Sequence, residues 1–429
     1  MNTEATAAPC PADTHTLREP TPSRGHRRSI LRRIADAYNT DNTVLIFLLS
    51  VVAGLVISSI VIVVSSDALR HAWISNPIRG LAQSIDYLNK AYTGLFKGAV
   101  GDPAMFQRAL DHPNQHTWTR ALTPIGNSLT DAVPLIIASC GIAVAFRSGV
   151  WNMGGHYQLI CGAIGSSWVG FSFAGLPWLV HVTLALAAGA IFGALGGLIP
   201  GVLRAYTGAH EVIVTIMLNY VAALLIIYLV SETFFKSGGA DVDTPTGRVT
   251  VASAALTPMI HGFPVNAGIV VAVLVVVFAT VLLDRSRVGF MLQISGESPN
   301  AARIAGISPT TIYIVAFAIS GAIVGIAGGV QVLGVSHQLQ VGFGADMGYL
   351  CILIAYLGRN NPLWVCVAAV FYGALQAGGL TMQFDSGISY QLTNIIQALI
   401  VLFVTAPALI AEIYRLHDKR RATPAAGTR

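Results

Sequence analysis

Long apolar runs, separated by short polar connections, are the feature that most constrains how this chain can fold. Only 10% of the 429 residues are charged, against roughly 25% in a soluble domain. A chain with so little polar surface predicts an all-α polytopic membrane protein with about ten transmembrane helices. Ten runs can cross a bilayer, or cross it if broken: 43–65, 126–146, 156–173, 177–199, 211–231, 265–283, 312–334, 345–358, 362–378 and 389–410.

Composition divides the chain into three regions. Residues 1–41 form a cytoplasmic tail that is partly disordered, since proline, alanine, threonine and arginine dominate it. Within it, His26–Tyr38 places apolar residues on one face and arginines on the other, which fits either an interfacial amphipathic helix or a solvated basic tail. Residues 42–411 form the transmembrane domain, and 412–429 form a basic cytoplasmic tail.

The distribution of basic residues predicts the orientation in the membrane. With both termini in the cytoplasm, 17 of the 25 lysines and arginines lie on the inner side, as the positive-inside rule requires. Six of the other eight lie in one long outer segment, residues 66–125, where the rule has little force. We therefore expect a multi-pass protein with both termini inside the cell.

Two patterns concern how the helices pack. Pro177–Leu198 resembles Pro362–Leu380, and the two helices run in opposite directions in this topology, which predicts a weak inverted repeat. Gly193 and Gly197 are spaced as G-x-x-x-G, as are the glycines at 321, 325 and 329. Such small faces predict close approach of helix backbones.

The sequence lacks the motifs that mark several classes of enzyme and binding protein. The sequence has no P-loop for ATP phosphates and no second histidine after His210-Glu211 to complete a zinc protease helix. The five cysteines have no metal-ligand spacing, and four of them lie inside apolar runs, so we interpret them as packing residues. The net charge of +5 comes from tails and short loops without an aromatic-basic patch, so no nucleic-acid partner is expected.

The polar segment Asp284–Thr311 is the longest ordered-looking inner loop. Ser298 is placed to open a short helix with Pro299 at its first position. Small alanines at 301, 302 and 305 are expected to leave this helix with a bare, exposed surface that suits the groove of a partner protein.

Three motifs give a family resemblance that covers about residues 120–410. Gly296–Ile307 reads G-E-x-P-x-A-A-R-x-A-G-I and resembles the cytoplasmic coupling loop of permease subunits in ABC importers for simple sugars, nucleosides and branched-chain amino acids. FRSGVWNMGGHYQ (Phe146–Gln158) and EVIVTIMLNY (Glu211–Tyr220) are similar to motifs of the nucleoside branch, which depends on a basic membrane lipoprotein. His156 and Tyr157 depart from that pattern, because an acidic residue and a glycine often stand there.

The resemblance implies a type II ABC importer permease in a bacterial plasma (inner) membrane. It implies a second, different but homologous permease chain, an extracytoplasmic substrate-binding lipoprotein, and ATPase subunits that hold the ATP and Mg, so this chain is itself no enzyme and holds no cofactor. The residues it implies for coupling to the ATPase are Gly296, Glu297, Ser298, Pro299, Asn300, Ala301, Ala302, Arg303 and Gly306.

The implied substrate is a nucleoside or related nucleobase compound, with a simple sugar or branched-chain amino acid as the alternative. Two more distant alternatives are an ion-coupled secondary transporter, with a buried carboxylate such as Asp131 as its ion site, and a purely structural membrane subunit.

Polar residues inside apolar runs, or in the short turn between two of them, are candidates for the translocation path. Asn152 and Gln158 can satisfy backbone groups where the chain turns back into the membrane at Gly149, Gly154 and Gly155, or they can bind a solute. The alternative roles of the others are a helix-dipole carboxylate for Glu211, helix–helix hydrogen bonds for Asn219 and Asn394, and an outer vestibule for Asp131, after which Pro134 is expected to break the helix.

Overall fold

The computed structural model describes residues 43–173, 175–232, 234–236, 247–257, 263–389 and 391–405. The predicted interfacial helix of residues 26–38 and the basic tail 412–429 lie outside these ranges. Within the ranges, regular structure consists of helices, and extended residues pair only at an isolated bridge between Lys236 and Gly247. The all-helical prediction is confirmed for this part of the chain.

Fifteen α-helices occur in the described ranges, and a π-helical turn, Val332–Ser336, continues the twelfth. They are α1 (Thr43–Ser65), α2 (Asp67–Ser75), α3 (Pro77–Ala99), α4 (Pro103–Asp111), α5 (Gln115–Arg147), α6 (Gly155–Ser172), α7 (Trp178–Thr207), α8 (Glu211–Ser231), α9 (Gly268–Arg285), α10 (Arg287–Glu297), α11 (Pro299–Ile304), α12 (Pro309–Gln331), α13 (Ala345–Leu357), α14 (Pro362–Ser386) and α15 (Gln391–Thr405).

Six of these helices, α5, α7, α8, α9, α12 and α14, are long and apolar enough to span a membrane, and α1 with α2 adds a seventh if that pair, bent by 79°, is one span. Two other helices are not among these six. Helix α6 is less apolar, because it contains glycines, serines, a histidine and a glutamine, and α13 has only 13 residues. The chain is therefore a multi-pass membrane protein, while the count of about ten spans stays a prediction.

Helix α5 corrects the expectation of a break at Pro134. It runs without interruption for 33 residues and contains both Pro124 and Pro134. Its middle is enclosed by α9, α12 and α14, and Val133 and Leu135 are almost fully buried. We attribute the intact helix to this packing, because proline removes one helical hydrogen bond but leaves its neighbours free to pack.

Helices α7 and α12 form the most extensive contact among the described elements. They run antiparallel with backbones touching: a Cβ atom at Gly193 would lie 2.3 Å from the Gly321 carbonyl oxygen, and one at Gly325 would lie 2.3 Å from the Gly189 oxygen. Since real Cβ atoms do not approach so closely, these positions require glycine. The predicted tight packing of the glycine faces is confirmed.

Residues 66–125 contain helices that the sequence analysis did not predict. Helix α3 packs on α14, where a Cβ at Gly98 would lie 2.9 Å from the Gly378 Cα atom. The Tyr92 hydroxyl also donates to the Leu55 carbonyl at 2.8 Å. Helix α3 thus braces α1 and α14 together, and α14 in turn packs on α5.

Candidate functional site

The segment Phe146–Gln158 turns the chain back on itself between α5 and α6. Helix α5 ends at Arg147, and Gly149 adopts φ +74°, a left-handed conformation that favours glycine. Helix α6 then starts at Gly155, where an added Cβ would lie 2.6 Å from the Gly348 carbonyl oxygen. The predicted turn is present, and it lies directly against α13.

Asn152 is the centre of a hydrogen-bond network beneath this turn. Its side-chain nitrogen donates to Gln158 Oε1 at 3.0 Å and to Ser320 Oγ of α12 at 2.9 Å. Its side-chain oxygen accepts from the backbone N–H of Gly154 at 3.0 Å. Gln158 Nε2 also donates to the Tyr157 hydroxyl at 2.9 Å. One amide thereby ties the turn to both α6 and α12.

Asn219 connects α8 to the same turn. Its side-chain oxygen accepts from the backbone N–H of Tyr157 at 3.1 Å, and its nitrogen donates to the Met153 carbonyl at 3.0 Å. The Tyr157 N–H lies in the first turn of α6, where backbone donors have no intrahelical partner, and the Met153 carbonyl lies in the turn that precedes this helix. The side chain of Asn219 therefore supplies hydrogen-bond partners that the local backbone does not provide.

These amides are buried as well as bonded. Asn152 and Gln158 have no exposed surface, and Asn219 is 1% exposed. In this conformation they hold α6, α8 and α12 around the turn, and a solute could bind them only by replacing bonds already made. The structure thus brings together three of the six predicted path residues.

Glu211 occupies a separate site at the start of α8. It is 3% exposed and forms an ion pair with Arg204 near the end of α7. The Arg204 guanidinium also lies 4.8 Å from the centre of the Tyr313 ring in the first turns of α12, a cation–π contact. The pair therefore fastens the α7–α8 turn to the start of α12.

Asp131 and Asn394 are placed away from the Asn152 network. Asp131 is half-buried on α5, on the same face as the exposed Asn127 one turn earlier. Asn394 is half-buried on α15. No hydrogen bond or ion pair joins either side chain to another residue in the described ranges, so their roles stay predictions.

The segment Asp284–Thr311, called the coupling segment after the loop that it resembles, folds largely as its sequence indicates. Helix α10 ends at Glu297, and Ser298 caps α11 with its hydroxyl 3.4 Å from the Ala301 backbone nitrogen. The expectation of a bare exposed surface that includes Ala302 is wrong. Ala302 is 2% exposed, whereas Ile304 is 89% exposed. A large apolar side chain thus dominates the open face.

The coupling segment touches the Phe146–Gln158 turn directly. A Cβ at Gly296 would lie 2.5 Å from the Arg147 carbonyl oxygen, and one at Gly149 would lie 2.9 Å from the Gly296 Cα atom. Beside this contact, Arg147 pairs with Asp284 at 3.5 Å, where α9 leads into the segment. The two regions that the motifs single out therefore meet backbone to backbone.

Sequence reasoning missed Ser320 and the Arg204–Tyr313 contact. Ser320 is one hydroxyl in the otherwise apolar middle of α12 and belongs to no motif. Arg204 had an explanation already as a positive charge on the inner side. In both cases the signal is a partner from a distant part of the chain, which only the fold reveals.

Replacing Asn219 with leucine should lower stability, because it leaves the Tyr157 N–H and the Met153 carbonyl buried without partners. The expected loss is about 1–3 kcal/mol, measured as a lower midpoint of thermal unfolding in detergent. Asn127→Leu is the matched control, since Asn127 is exposed and its replacement should change the midpoint little. Equal midpoints for the two variants would contradict a structural role for this amide.

Comparison with known proteins places the fold and the motifs in context. A family model described as branched-chain amino acid transport system / permease component matches residues 125–405. The chain is 34% identical over 287 residues to a guanosine ABC transporter permease protein of Bacillus subtilis, covering 66% of this chain and 81% of that protein. No solved structure matches significantly.

Two further relatives extend the comparison. A nucleoside ABC transporter permease protein of Lactococcus lactis is 30% identical over 67% of this chain and 80% of its own length. A glucose ABC transporter permease protein of Haloferax volcanii is 33% identical over 64% of this chain and 74% of its own length. With its family model matched over most of the chain, this protein belongs to the branched-chain amino acid transport system / permease component family.

Proposed function

We propose that this chain is the permease subunit of an ATP-driven ABC importer for nucleosides or related nucleobase compounds. The observation that carries the proposal is the backbone contact between Gly149 and Gly296. It joins a segment typical of ATPase coupling to a polar turn inside the membrane domain. The similarity to permeases named for guanosine and nucleosides supplies the substrate class.

In this proposal, separate ATPase subunits bind ATP and Mg and seat α11 in a groove. Ile304 is the anchor, because it is large, apolar and almost fully exposed on the open face. Movement of the segment reaches the α5–α6 turn through Gly296 and Gly149, and reaches α12 directly, since α11 leads into it. Both routes end at the Asn152 network, which joins the turn to α12 through Ser320.

We further propose that the solute passes beside this network once the helices separate. Asn152, Gln158 and Asn219 would then exchange their mutual hydrogen bonds for bonds to the solute. Amides can both donate and accept, so they suit the hydroxyls and ring nitrogens of a nucleoside. Glu211 is a positioning residue at the inner gate, and Asp131 and Asn394 lie nearer the outer entrance.

This chain has about ten spans in this proposal, with both termini in the cytoplasm of a bacterial cell. The helix contacts support an inverted repeat, because the two helices of similar sequence each pack on a helix of the opposite half of the chain. Helix α7 packs on α12, and α14, which corresponds to α7, packs on α5. A second homologous permease completes the path, and an extracytoplasmic lipoprotein delivers the solute.

A simple-sugar permease is the second candidate, because the Haloferax volcanii relative is named for glucose. The two candidates differ in what competes for uptake. Proteoliposomes that hold the complete assembly should take up radiolabelled guanosine only with ATP, and unlabelled nucleosides should compete whereas glucose should not. Glucose competition without nucleoside competition would contradict the nucleoside assignment.

The same vesicles also test the energy source. Collapsing the proton gradient at constant ATP should leave uptake unchanged, since no ion gradient drives an ABC importer. Loss of uptake under that condition would instead favour an ion-coupled transporter, with Asp131 as the first residue to replace.

Ile304→Asp should uncouple ATP hydrolysis from transport, because a charge would enter the apolar groove of the ATPase. We expect the ratio of solute transported to ATP hydrolysed to fall at least about tenfold, the effect of losing one interface anchor. Thr207→Asp is the control, since Thr207 is exposed at the α7–α8 turn outside the coupling segment. An unchanged ratio for Ile304→Asp, with normal assembly, would rule out this anchor.

A further inference from the structure

The aromatic pair formed by His156 and Tyr349 has no part in the network described above. We propose that Tyr349, supported from behind by His156, is a stacking platform for the nucleobase of the transported solute. This inference rests on the proposed function and assigns it a specific binding surface. It concerns the exposed side of α13, which the three sequence motifs do not include.

His156 is a rigid support. Its side chain is 6% exposed, and its Nδ1 atom lies 3.2 Å from the Gly344 carbonyl oxygen. Because a carbonyl only accepts, Nδ1 carries the proton and donates it. The ring is therefore fixed at the first turn of α6 by a bond to the loop that precedes α13.

Tyr349 lies on this support with its other side open. The two rings are nearly parallel, at 20°, with their centres 6.0 Å apart, within the range of offset stacking. Tyr349 is nevertheless 48% exposed. One face of the ring is thus covered by His156, while a large part of the side chain is free to meet a solute.

Close backbone packing sets the height of the platform. A Cβ at Gly348 would lie 2.4 Å from the His156 Cα atom. Only a glycine next to Tyr349 therefore lets α13 approach α6 closely enough for the two rings to stack. The geometry depends on a backbone contact, and not on two flexible side chains that happen to meet.

The exposed face of α13 differs from those of α1 and of the middle of α9. Helix α1 exposes Val52, Val56 and Ile60, and the middle of α9 exposes aliphatic residues and Phe278. Helix α13 instead exposes Tyr349 eight residues before its end, about 12 Å along the helix axis. A phenol combines a ring that can stack with a hydroxyl that water in a solute path can hydrogen-bond.

A nucleobase fits this platform because it is flat and has a π face on each side. Stacking a base on an aromatic side chain contributes about 1–3 kcal/mol and tolerates different bases. A purine offers a larger face than a pyrimidine. The platform therefore predicts recognition of nucleosides as a class, with purines held more tightly.

The test compares three variants of the complete importer in proteoliposomes, with radiolabelled guanosine and cytidine as probes. Tyr349→Leu should raise the KM for guanosine about tenfold, with a smaller rise for cytidine. Tyr349→Phe keeps the ring and should transport as the wild type does. Tyr356→Leu is the matched control: Tyr356 is also 48% exposed, two turns further along α13, and none of the described aromatic pairs includes it.

Each outcome decides the proposal. A KM for Tyr349→Leu equal to that of Tyr356→Leu overturns the platform, because the side chain then only faces lipid. Loss of the second permease on co-purification of Tyr349→Leu also overturns it, since Tyr349 would be an interface residue. Failure of the wild type to take up either nucleoside is a separate result, obtained before any variant, and it contradicts the proposed function itself.

Discussion

The need to satisfy backbone polar groups inside the membrane domain governs the centre of this molecule. Between α5 and α6 the chain leaves helical geometry, and its N–H and carbonyl groups lose their intrahelical partners. Asn152 and Asn219 replace those partners, with bonds to Gly154, Tyr157 and Met153. Asn152 also bonds to α12, and Asn219 is itself part of α8. The hydrogen bonds that satisfy the turn therefore also fix the positions of these two helices.

The turn has a different neighbour at each end, and in the proposed mechanism this arrangement links energy input to solute recognition. Near the end of α5, Gly149 touches Gly296 of the coupling segment. At its other end His156 supports Tyr349. The proposed mechanism therefore needs no long-range signal through the helices. A displacement of the coupling segment acts on a short, hydrogen-bonded stretch whose far end carries the proposed base platform.

Much of this could be predicted from the sequence, and the failures share a cause. The sequence identified three amides, Asn152, Gln158 and Asn219. Polar side chains inside apolar runs, or in a short turn between them, must have hydrogen-bond partners or face a polar path. The helix cap at Ser298 and the glycine faces were predictable from local spacing. By contrast, Ala302 was expected to be exposed, and it is buried by tertiary packing that the local sequence does not record.

Three further features were not predicted. They are the structure of residues 66–125, the intact helix through Pro134, and the roles of Ser320 and Tyr349. Each depends on which distant helix lies alongside, and neither composition nor spacing records that. Helix α3 is an example, because two of its glycines, Gly94 and Gly98, lie against α14. Local chemistry thus predicted where the polar site lies, and tertiary packing determined what it contacts.

The central claim, that the coupling segment acts on the α5–α6 turn, is tested most directly by hydrogen exchange. The measurement follows the backbone amides of residues 150–158 in the assembled importer, with and without ATP turnover. The account predicts that turnover accelerates exchange at Gly154 and Tyr157, whose N–H groups bond to Asn152 and Asn219. The backbone amides at the glycine contact between α7 and α12 should stay protected from exchange. Unchanged exchange across residues 150–158 during turnover would contradict the account.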